Sequence, residues 1–140
     1  MMKNILVTGA NGFVGQALCR ALDQKGYVVR GAFRDASKFF KASAKMACVA
    51  VGDINEKTDW SAAIQGIDCV VHLAGRVHMM REDVAEPLVA YRKTNVGGLK
   101  RLLDFVKRAG VPRLIYLSTI KVNGERTTDK AFSEDDPVAP

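Results

Sequence analysis

The stretch ILVTGANGFVG, residues 5–15, decides the fold class of this 140-residue chain. An apolar run ends at Thr8, and three glycines follow at intervals of three residues. Gly9 allows a sharp turn out of a strand, Gly12 leaves room for a ligand beside the backbone, and Gly15 lets a helix pack closely on the strand. The first N–H groups of such a helix have no partner and attract an anion. The stretch therefore predicts a strand, a glycine turn and a helix that together bind a phosphate.

The context of the glycines favours a dinucleotide as the source of that phosphate. A glycine triplet by itself also fits an ordinary turn before a helix. Here it follows a predicted strand, opens a predicted helix and starts a strand–helix–strand unit, which is the context that a dinucleotide-binding loop requires. Asn11 suits the turn because Asn tolerates left-handed backbone angles. We therefore interpret residues 9–15 as the pyrophosphate-binding loop of a dinucleotide site.

The rest of the chain alternates strand-like and helix-like segments. The strands are continuous apolar runs, which indicates a parallel sheet that is covered by helices on both faces. The predicted fold class is therefore α/β, a Rossmann-like doubly wound parallel sheet. Strands are predicted at 3–8, 27–33, 45–51, 68–75 and 113–119, and helices from residue 13 to a stop at Gly26, over 58–66 and over 87–109.

Composition excludes several classes of protein. The chain is 48% hydrophobic and 26% charged, which suits one soluble domain, and no apolar run is long enough to span a membrane. The net charge of +6 comes from scattered Lys and Arg, which favours solvated helix faces over nucleic-acid binding. Three cysteines in apolar runs indicate reduced core residues of a cytoplasmic protein. His72 lies in a predicted strand and His78 has no evident co-ligands, so no metal site is predicted.

Residues after the second and third strands bear on which dinucleotide binds. An acidic residue after the second strand commonly holds the ribose of NAD, whereas an Arg there accepts the 2′-phosphate of NADP. Arg34, with Lys38 as a second charge, favours NADP because a guanidinium offers a planar fork of donors. The alternative is NAD, with Arg34 in solvent and Asp35 on the ribose. Asp53 and Ile54 are placed to contact the adenine, although Asp53 also fits a carboxylate that caps a turn or helix.

Five motifs, in order, resemble those of the extended short-chain dehydrogenases/reductases. This group includes nucleotide-sugar epimerases, dehydratases and 4-keto reductases. The resemblance covers the whole chain, and it is specific for the superfamily but much less so for the substrate. The motifs are TGANGFVG at 8–15, GDI at 52–54, HLAG at 72–75, TNVGGL at 94–99 and YLSTIKVNG at 116–124.

The resemblance implies how the cofactor, NADP or NAD, is held. The three glycines line the pyrophosphate, and Phe13 and Val14 offer backbone N–H groups to it. Ala74 and Gly75, after the fourth strand, pass close to the riboses. Asn95 corresponds to a buried Asn of the family that lies near the active-site water. Bonding to a neighbouring strand is the alternative for Asn95, and both roles are compatible.

The resemblance also implies a catalytic segment after the fifth strand. Ser118 and Thr119 match a pair of hydroxyl residues, with Thr119 placed to hydrogen-bond the reacting oxygen of the substrate and Ser118 on the cofactor side. Hydroxyls that end a strand and bond local backbone are the alternative. Lys121 is placed to reach an anionic substrate. Asn123 stands where the family usually has Tyr, so the local pocket differs.

One part of the family's machinery does not occur in the sequence. The family uses a Tyr whose pKa is lowered by a Lys four residues later, and none of Tyr27, Tyr91 and Tyr116 has Lys at that distance. In the family this pair follows an acidic, proline-containing loop like SEDDPVAP at 133–140. We therefore expect an NAD(P)-binding domain at 1–119. An active-site loop region at 120–140 would lead into a missing C-terminal part, so that the fold is truncated before its last strands and catalytic helix and the chain alone is inactive.

The predicted function is that of an NAD(P)-dependent nucleotide-sugar epimerase/dehydratase or 4-keto reductase. The segment IKVNG, residues 120–124, resembles enzymes of bacterial surface-polysaccharide biosynthesis. An NADPH-dependent reductase similar to dihydroflavonol reductases is an alternative suggested by VRGAFRD at 29–35, and a non-catalytic dinucleotide sensor is another. The expected partner is a nucleotide-sugar substrate, with no nucleic acid and no membrane. The helix at 87–109 is a candidate for homodimer contacts.

Overall fold

A single parallel sheet organises the chain, seen in a computed structural model that describes residues 3–76, 86–127 and 129–139. Its strand order is β3–β2–β1–β4–β5, and all four neighbouring pairs are parallel. The predicted α/β class is confirmed. The order reverses direction between β1 and β4, which is where sheets of this kind bind ligands. The strands are β1 Asn4–Thr8, β2 Val28–Phe33, β3 Ala47–Ala50, β4 Cys69–His72 and β5 Leu114–Tyr116.

The helices lie where the sequence predicts them, with differences of detail, and the helix predicted over 58–66 is reduced to Ser61–Ile64. The helix predicted at 87–109 is interrupted, because a π-helical segment, Arg92–Gly97, separates its two α-helical parts. Residues 120–140, predicted as loop, contain the 3₁₀ turn Ile120–Asn123. A second 3₁₀ turn, Ala36–Lys38, follows β2. The α-helices are α1 Phe13–Gln24, α2 Ser61–Ile64, α3 Pro87–Tyr91 and α4 Gly98–Arg108.

The core has two halves, one on each face of the sheet. On β1, Ile5 and Val7 join the cluster that includes Cys19 of α1, whereas Leu6 joins the cluster that includes residues of α2 and α4. Successive side chains of a strand point to opposite faces, so helices cover both sides of the sheet. Each fully buried aliphatic side chain of this kind contributes roughly 1.5–3 kcal/mol. The predicted doubly wound arrangement is therefore confirmed at the centre of the sheet.

Coverage is incomplete at the β5 edge, where the expectation of a strand buried on both faces is wrong. Ile115 and Tyr116 are each 48% exposed, and among the described residues no strand pairs with the outer edge of β5.

All three cysteines are free thiols. Burial raises the pKa of the Cys19 thiol to about 11, so it stays protonated inside the core. In the part of the chain that the structure describes, no helix is long and apolar enough to cross a membrane.

Candidate functional site

The glycine turn between β1 and α1 is closed by its own backbone. Gly9 has φ +66°, in the left-handed region, and its carbonyl accepts a 2.9 Å hydrogen bond from the Gly12 amide. A Cβ at Gly15 would overlap that same carbonyl oxygen, so only glycine allows α1 to start so close to the strand. Asn11 lies in this turn without using the left-handed angles that Asn tolerates, because no described residue other than glycine has positive φ.

The start of α1 presents open hydrogen-bond donors. Gly12 caps the helix without a side-chain hydrogen bond, and the amides of Phe13, Val14 and Gly15 have no acceptor among the described residues. The Phe13 side chain is 96% exposed. Three free N–H groups at the positive end of a helix form a site for an anion. Gly12 places no side chain over these donors, which we call the amide cradle, so they stay accessible.

Thr8 ties the glycine turn to the segment after β4, a role that no local sequence pattern indicates. Its Oγ1 accepts hydrogen bonds from the amides of Leu73 at 3.2 Å and Ala74 at 3.1 Å, and it lies 2.7 Å from Nδ1 of His72. The hydroxyl proton is therefore available for Nδ1, which places the imidazole proton on Nε2. Burial lowers the pKa of His72 to about 4, so the ring is neutral near pH 7. A Cβ on Gly9 would lie 2.9 Å from the Ala74 nitrogen.

Asn95 holds the other end of the same segment. Its Oδ1 accepts a 2.7 Å hydrogen bond from the Arg76 amide, and its Nδ2 donates to the Arg76 carbonyl at 2.9 Å. The side chain is half-buried on the π-helical segment. A Cβ on Gly75 would come within 3.2 Å of Asn95 Oδ1. The alternative predicted for Asn95 is bonding to a neighbouring strand, whereas its partner here, Arg76, lies in the segment after β4 and not in a strand.

The residues after β2 and β3 form an exposed ion pair. Arg34 Nε lies 2.9 Å from Asp53 Oδ1, with the two side chains 77% and 75% exposed. Asp35 instead caps the turn Ala36–Lys38, where its Oδ1 accepts from both the amide and the hydroxyl of Ser37. The Ser37 hydroxyl, helped by the Ser37 amide, lowers the pKa of Asp35. Ile54 packs against Gly98, where a Cβ would overlap its Cγ2.

The residues after β5 line an open cavity of about 400 Å³. Ser118 and Thr119 are exposed, and Thr119 Oγ1 accepts a 3.3 Å hydrogen bond from the Lys121 amide. The far wall is residues 133–138, which Asn123 secures by donating from Nδ2 to the Asp136 carbonyl at 3.0 Å. The lining residues are Ser118, Thr119, Ile120, Val122, Asn123, Ser133, Glu134, Asp136 and Val138.

The glycine turn, the Arg34–Asp53 pair, the segment that begins at Leu73 and the hydroxyl pair follow the carboxyl ends of parallel strands, so the fold gathers them at one edge of the sheet. Residues 5–140 match the model of the NAD dependent epimerase/dehydratase family. The chain belongs to this family. The predicted use of a nicotinamide dinucleotide as cofactor is therefore confirmed at the level of the family.

His78 lies outside the described residues, and within them no three side chains of His, Cys, Asp or Glu form a metal-binding group.

Two curated relatives and one solved structure illustrate the range of the family. A UDP-glucose 4-epimerase of Vibrio cholerae is 41% identical over 142 residues, covering 100% of this chain and 42% of the relative. A Synechocystis protein with the provisional name dihydroflavonol 4-reductase is 31% identical over 124 residues, covering 89% of this chain and 35% of the relative. The structure of MoeE5 with UDP-glucose and NAD has 28% identity and a TM-score of 0.79, covering 98% of this chain and 42% of that one. The chain thus spans about two-fifths of these proteins.

Proposed function

We propose that the chain forms the dinucleotide-binding part of an NAD(P)-dependent enzyme that acts on a nucleotide sugar. The observation that carries this proposal is the set of three free amides, at Phe13, Val14 and Gly15, beside a turn that only glycines fit. These amides would hold the pyrophosphate, and Ala74 and Gly75 would lie along the riboses. The bound nicotinamide would supply the hydride acceptor or donor for oxidation and reduction at a sugar carbon.

For the substrate, we propose the cavity beside Ser118 and Thr119. The Thr119 oxygen accepts from the Lys121 amide, which leaves its hydroxyl proton free to donate to a substrate oxygen. Ser118 would orient the cofactor side of the site, and Lys121 would attract a phosphorylated substrate. Asn95 would act indirectly, by fixing the segment that carries Gly75. The relative named UDP-glucose 4-epimerase supports a nucleotide sugar over other alcohols.

A reductase of the dihydroflavonol type is the second candidate, supported by the Synechocystis relative. It would use the same amide cradle and differ in what the cavity accepts. A dinucleotide sensor would need the cradle but not the hydroxyl pair.

The three free thiols fit a reducing compartment such as the cytoplasm. For a homodimer, the exposed apolar residues on the helical segment 87–108 offer a contact: Leu88, Val89, Val96 and Leu103.

Titration calorimetry of the chain with NAD tests the cradle. Gly12→Val places a branched side chain where the diphosphate would lie, and we expect the affinity to fall at least tenfold. A Cβ at Gly12 would lie 3.2 Å from the Gly9 carbonyl oxygen, a tight contact that the turn must relax, so circular dichroism and urea unfolding first establish that the variant is folded. Lys25→Ala, at the opposite end of α1, is the matched control. Equal affinity of the folded Gly12→Val variant and the parent chain would overturn the assignment.

Saturation-transfer NMR with UDP-glucose tests the substrate class. In the presence of NAD, we expect transfer to the sugar protons, reduced by Thr119→Val, which keeps the side-chain shape but removes the hydroxyl. Thr119→Ser keeps the hydroxyl and should retain the signal. Transfer that is the same in all three proteins would argue against a role for Thr119 in binding the substrate.

A further inference from the structure

The sequence contains two Asn-Gly dipeptides, Asn11–Gly12 and Asn123–Gly124. Asparagine is one of the chemically labile residues of proteins. Its carboxamide is most open to attack by the next amide nitrogen when glycine follows, because a residue without a Cβ leaves its own nitrogen unshielded. The two dipeptides therefore share the same local chemistry, and the fold around them decides which one reacts.

The glycine amides are held alike in the two places. The Gly12 amide donates to the Gly9 carbonyl at 2.9 Å, and the Gly124 amide donates to the Lys121 carbonyl at 3.2 Å. Each hydrogen bond reaches back three residues, and each slows attack by the nitrogen that it holds. The larger difference between the dipeptides lies in the asparagine side chains.

The two carboxamides have different surroundings. Asn123 is half-buried, and its Nδ2 donates to the Asp136 carbonyl at 3.0 Å and to the Pro137 carbonyl at 3.4 Å. Asn11 is exposed, and within the described part of the chain only its backbone carbonyl has a partner, Nε2 of Gln16 at 2.9 Å. That contact is itself exposed and competes with water. The fold thus holds the carboxamide of Asn123 and leaves that of Asn11 free to rotate toward the Gly12 nitrogen.

We propose that Asn11 is a site of spontaneous covalent modification that disables the amide cradle. The Gly12 nitrogen attacks Cγ of Asn11, so that an N–Cγ bond forms and the bond from Cγ to Nδ2 breaks. Nδ2 leaves as ammonia and takes the Gly12 amide proton with it. Water then opens the cyclic imide at either of its carbonyls and gives aspartate or isoaspartate at position 11. The only co-reactant is water, and a neutral side chain becomes a carboxylate.

Both products weaken anion binding, a consequence that rests on the proposed dinucleotide-binding function. The new charge stands next to Gly12, beside the open amides of residues 13–15, and it repels a diphosphate. Isoaspartate also routes the main chain through its Cβ and lengthens the turn. This turn has no spare room, because a Cβ at Gly15 would overlap the Gly9 carbonyl oxygen.

Peptide mapping of aged protein measures the two sites separately. The folded chain is kept in mildly alkaline buffer, digested with trypsin and compared with an unaged sample by tandem mass spectrometry. Trypsin releases Asn11 in peptide 4–20 and Asn123 in peptide 122–126, since the flanking bonds follow Lys or Arg. We expect Asn11 to change about tenfold faster than Asn123, whose hydrogen bonds must first break. In urea, which removes the fold, the two rates should agree within about threefold.

Calorimetry with NAD links the modification to binding. The aged chain, checked for folding by circular dichroism, should bind NAD about tenfold more weakly than the fresh chain, and fresh Asn11→Asp should show a similar loss. Asn11→Gln carries a carboxamide that is a methylene too long for this ring, so its affinity should not decline with age. Gln24→Glu converts an exposed amide to a carboxylate at the far end of α1 and should bind within about twofold of the parent chain, since the charge is remote.

The outcomes separate this inference from the proposed function. Equal rates at Asn11 and Asn123 in the folded chain, or a faster change at Asn123, would overturn the inference. Modified Asn11 with unaltered affinity for NAD would refute its effect on the cradle. If the fresh chain did not bind NAD, the proposed function would fall, whereas the two rates would still decide whether Asn11 is the labile residue.

Discussion

The hydroxyl of Thr8 and the imidazole of His72 face each other across the point where the strand order reverses. The two residues are register partners on β1 and β4, and Thr8 Oγ1 lies 2.7 Å from Nδ1 of His72. Both side chains are buried. Since the same hydroxyl also accepts from the Leu73 and Ala74 amides, one side chain fixes both the ring and the backbone beside the glycine turn.

Replacing Thr8 by Val should destabilise the chain by about 2 kcal/mol. The change preserves shape, but it leaves two part-buried amides and a buried ring nitrogen without their partner, and an unsatisfied buried group costs about 1–3 kcal/mol before relaxation. Urea unfolding followed by fluorescence of the single tryptophan, Trp60, gives the measurement. Thr8→Ser keeps the hydroxyl and should cost about 1 kcal/mol for the lost methyl group. Equal stability of Thr8→Val and the parent chain would contradict the role of this hydroxyl.

Stability should fall on acidification because of His72. Burial lowers its pKa from 6.5 to about 4, so between these values the unfolded chain binds a proton that the folded chain does not. The free energy of unfolding therefore decreases as the pH drops from about 6.5 to 4, by about 3 kcal/mol in all. Urea unfolding at several pH values measures the slope. His72→Gln, which does not titrate, should lose this part of it, and an unchanged slope in that variant would refute the assignment.

Asn95→Leu should loosen the segment after β4. The variant cannot make the two hydrogen bonds to the Arg76 backbone, and we expect a loss of about 1–3 kcal/mol. Hydrogen exchange of the Arg76 amide should accelerate more than that of amides within β1. Asn95→Asp is an informative companion, because its carboxylate still accepts from the Arg76 amide but repels the Arg76 carbonyl. Unaltered exchange at Arg76 in the Leu variant would show that the clamp is unimportant.

The sequence predicted those features of the fold that depend on residues close together along the chain. The glycines at 9, 12 and 15 and the apolar strands are local signals, because turn geometry and burial of a parallel strand each impose a residue type at a fixed spacing. The bounds of all five strands along the chain were predicted to within a few residues. The interrupted helix at Arg92–Gly97 did not, since a wider helical turn has no comparable sequence pattern.

The long-range contacts that shape the site could not be predicted from local sequence patterns. Thr8 meets residues 64 to 66 positions further along the chain, and Asn95 meets Arg76 across 19 positions. No periodicity encodes such pairs. Arg34 and Asp53 were each assigned to the adenosine end from their strand ends, but their pairing depends on the register of β2 and β3. The roles of Ser118, Thr119 and the cofactor-contacting residues stay predictions until binding is measured.

The central place of β1 has a consequence for the order in which the molecule assembles. Ribosomes add about 5–20 residues per second, and β1 is made first although it lies in the middle of the sheet. It can pair with β2 as soon as residues 28–33 emerge, but its other edge waits several seconds for β4. During synthesis that bare edge is a natural place for a chaperone to bind, and early pauses in translation would lengthen its exposure.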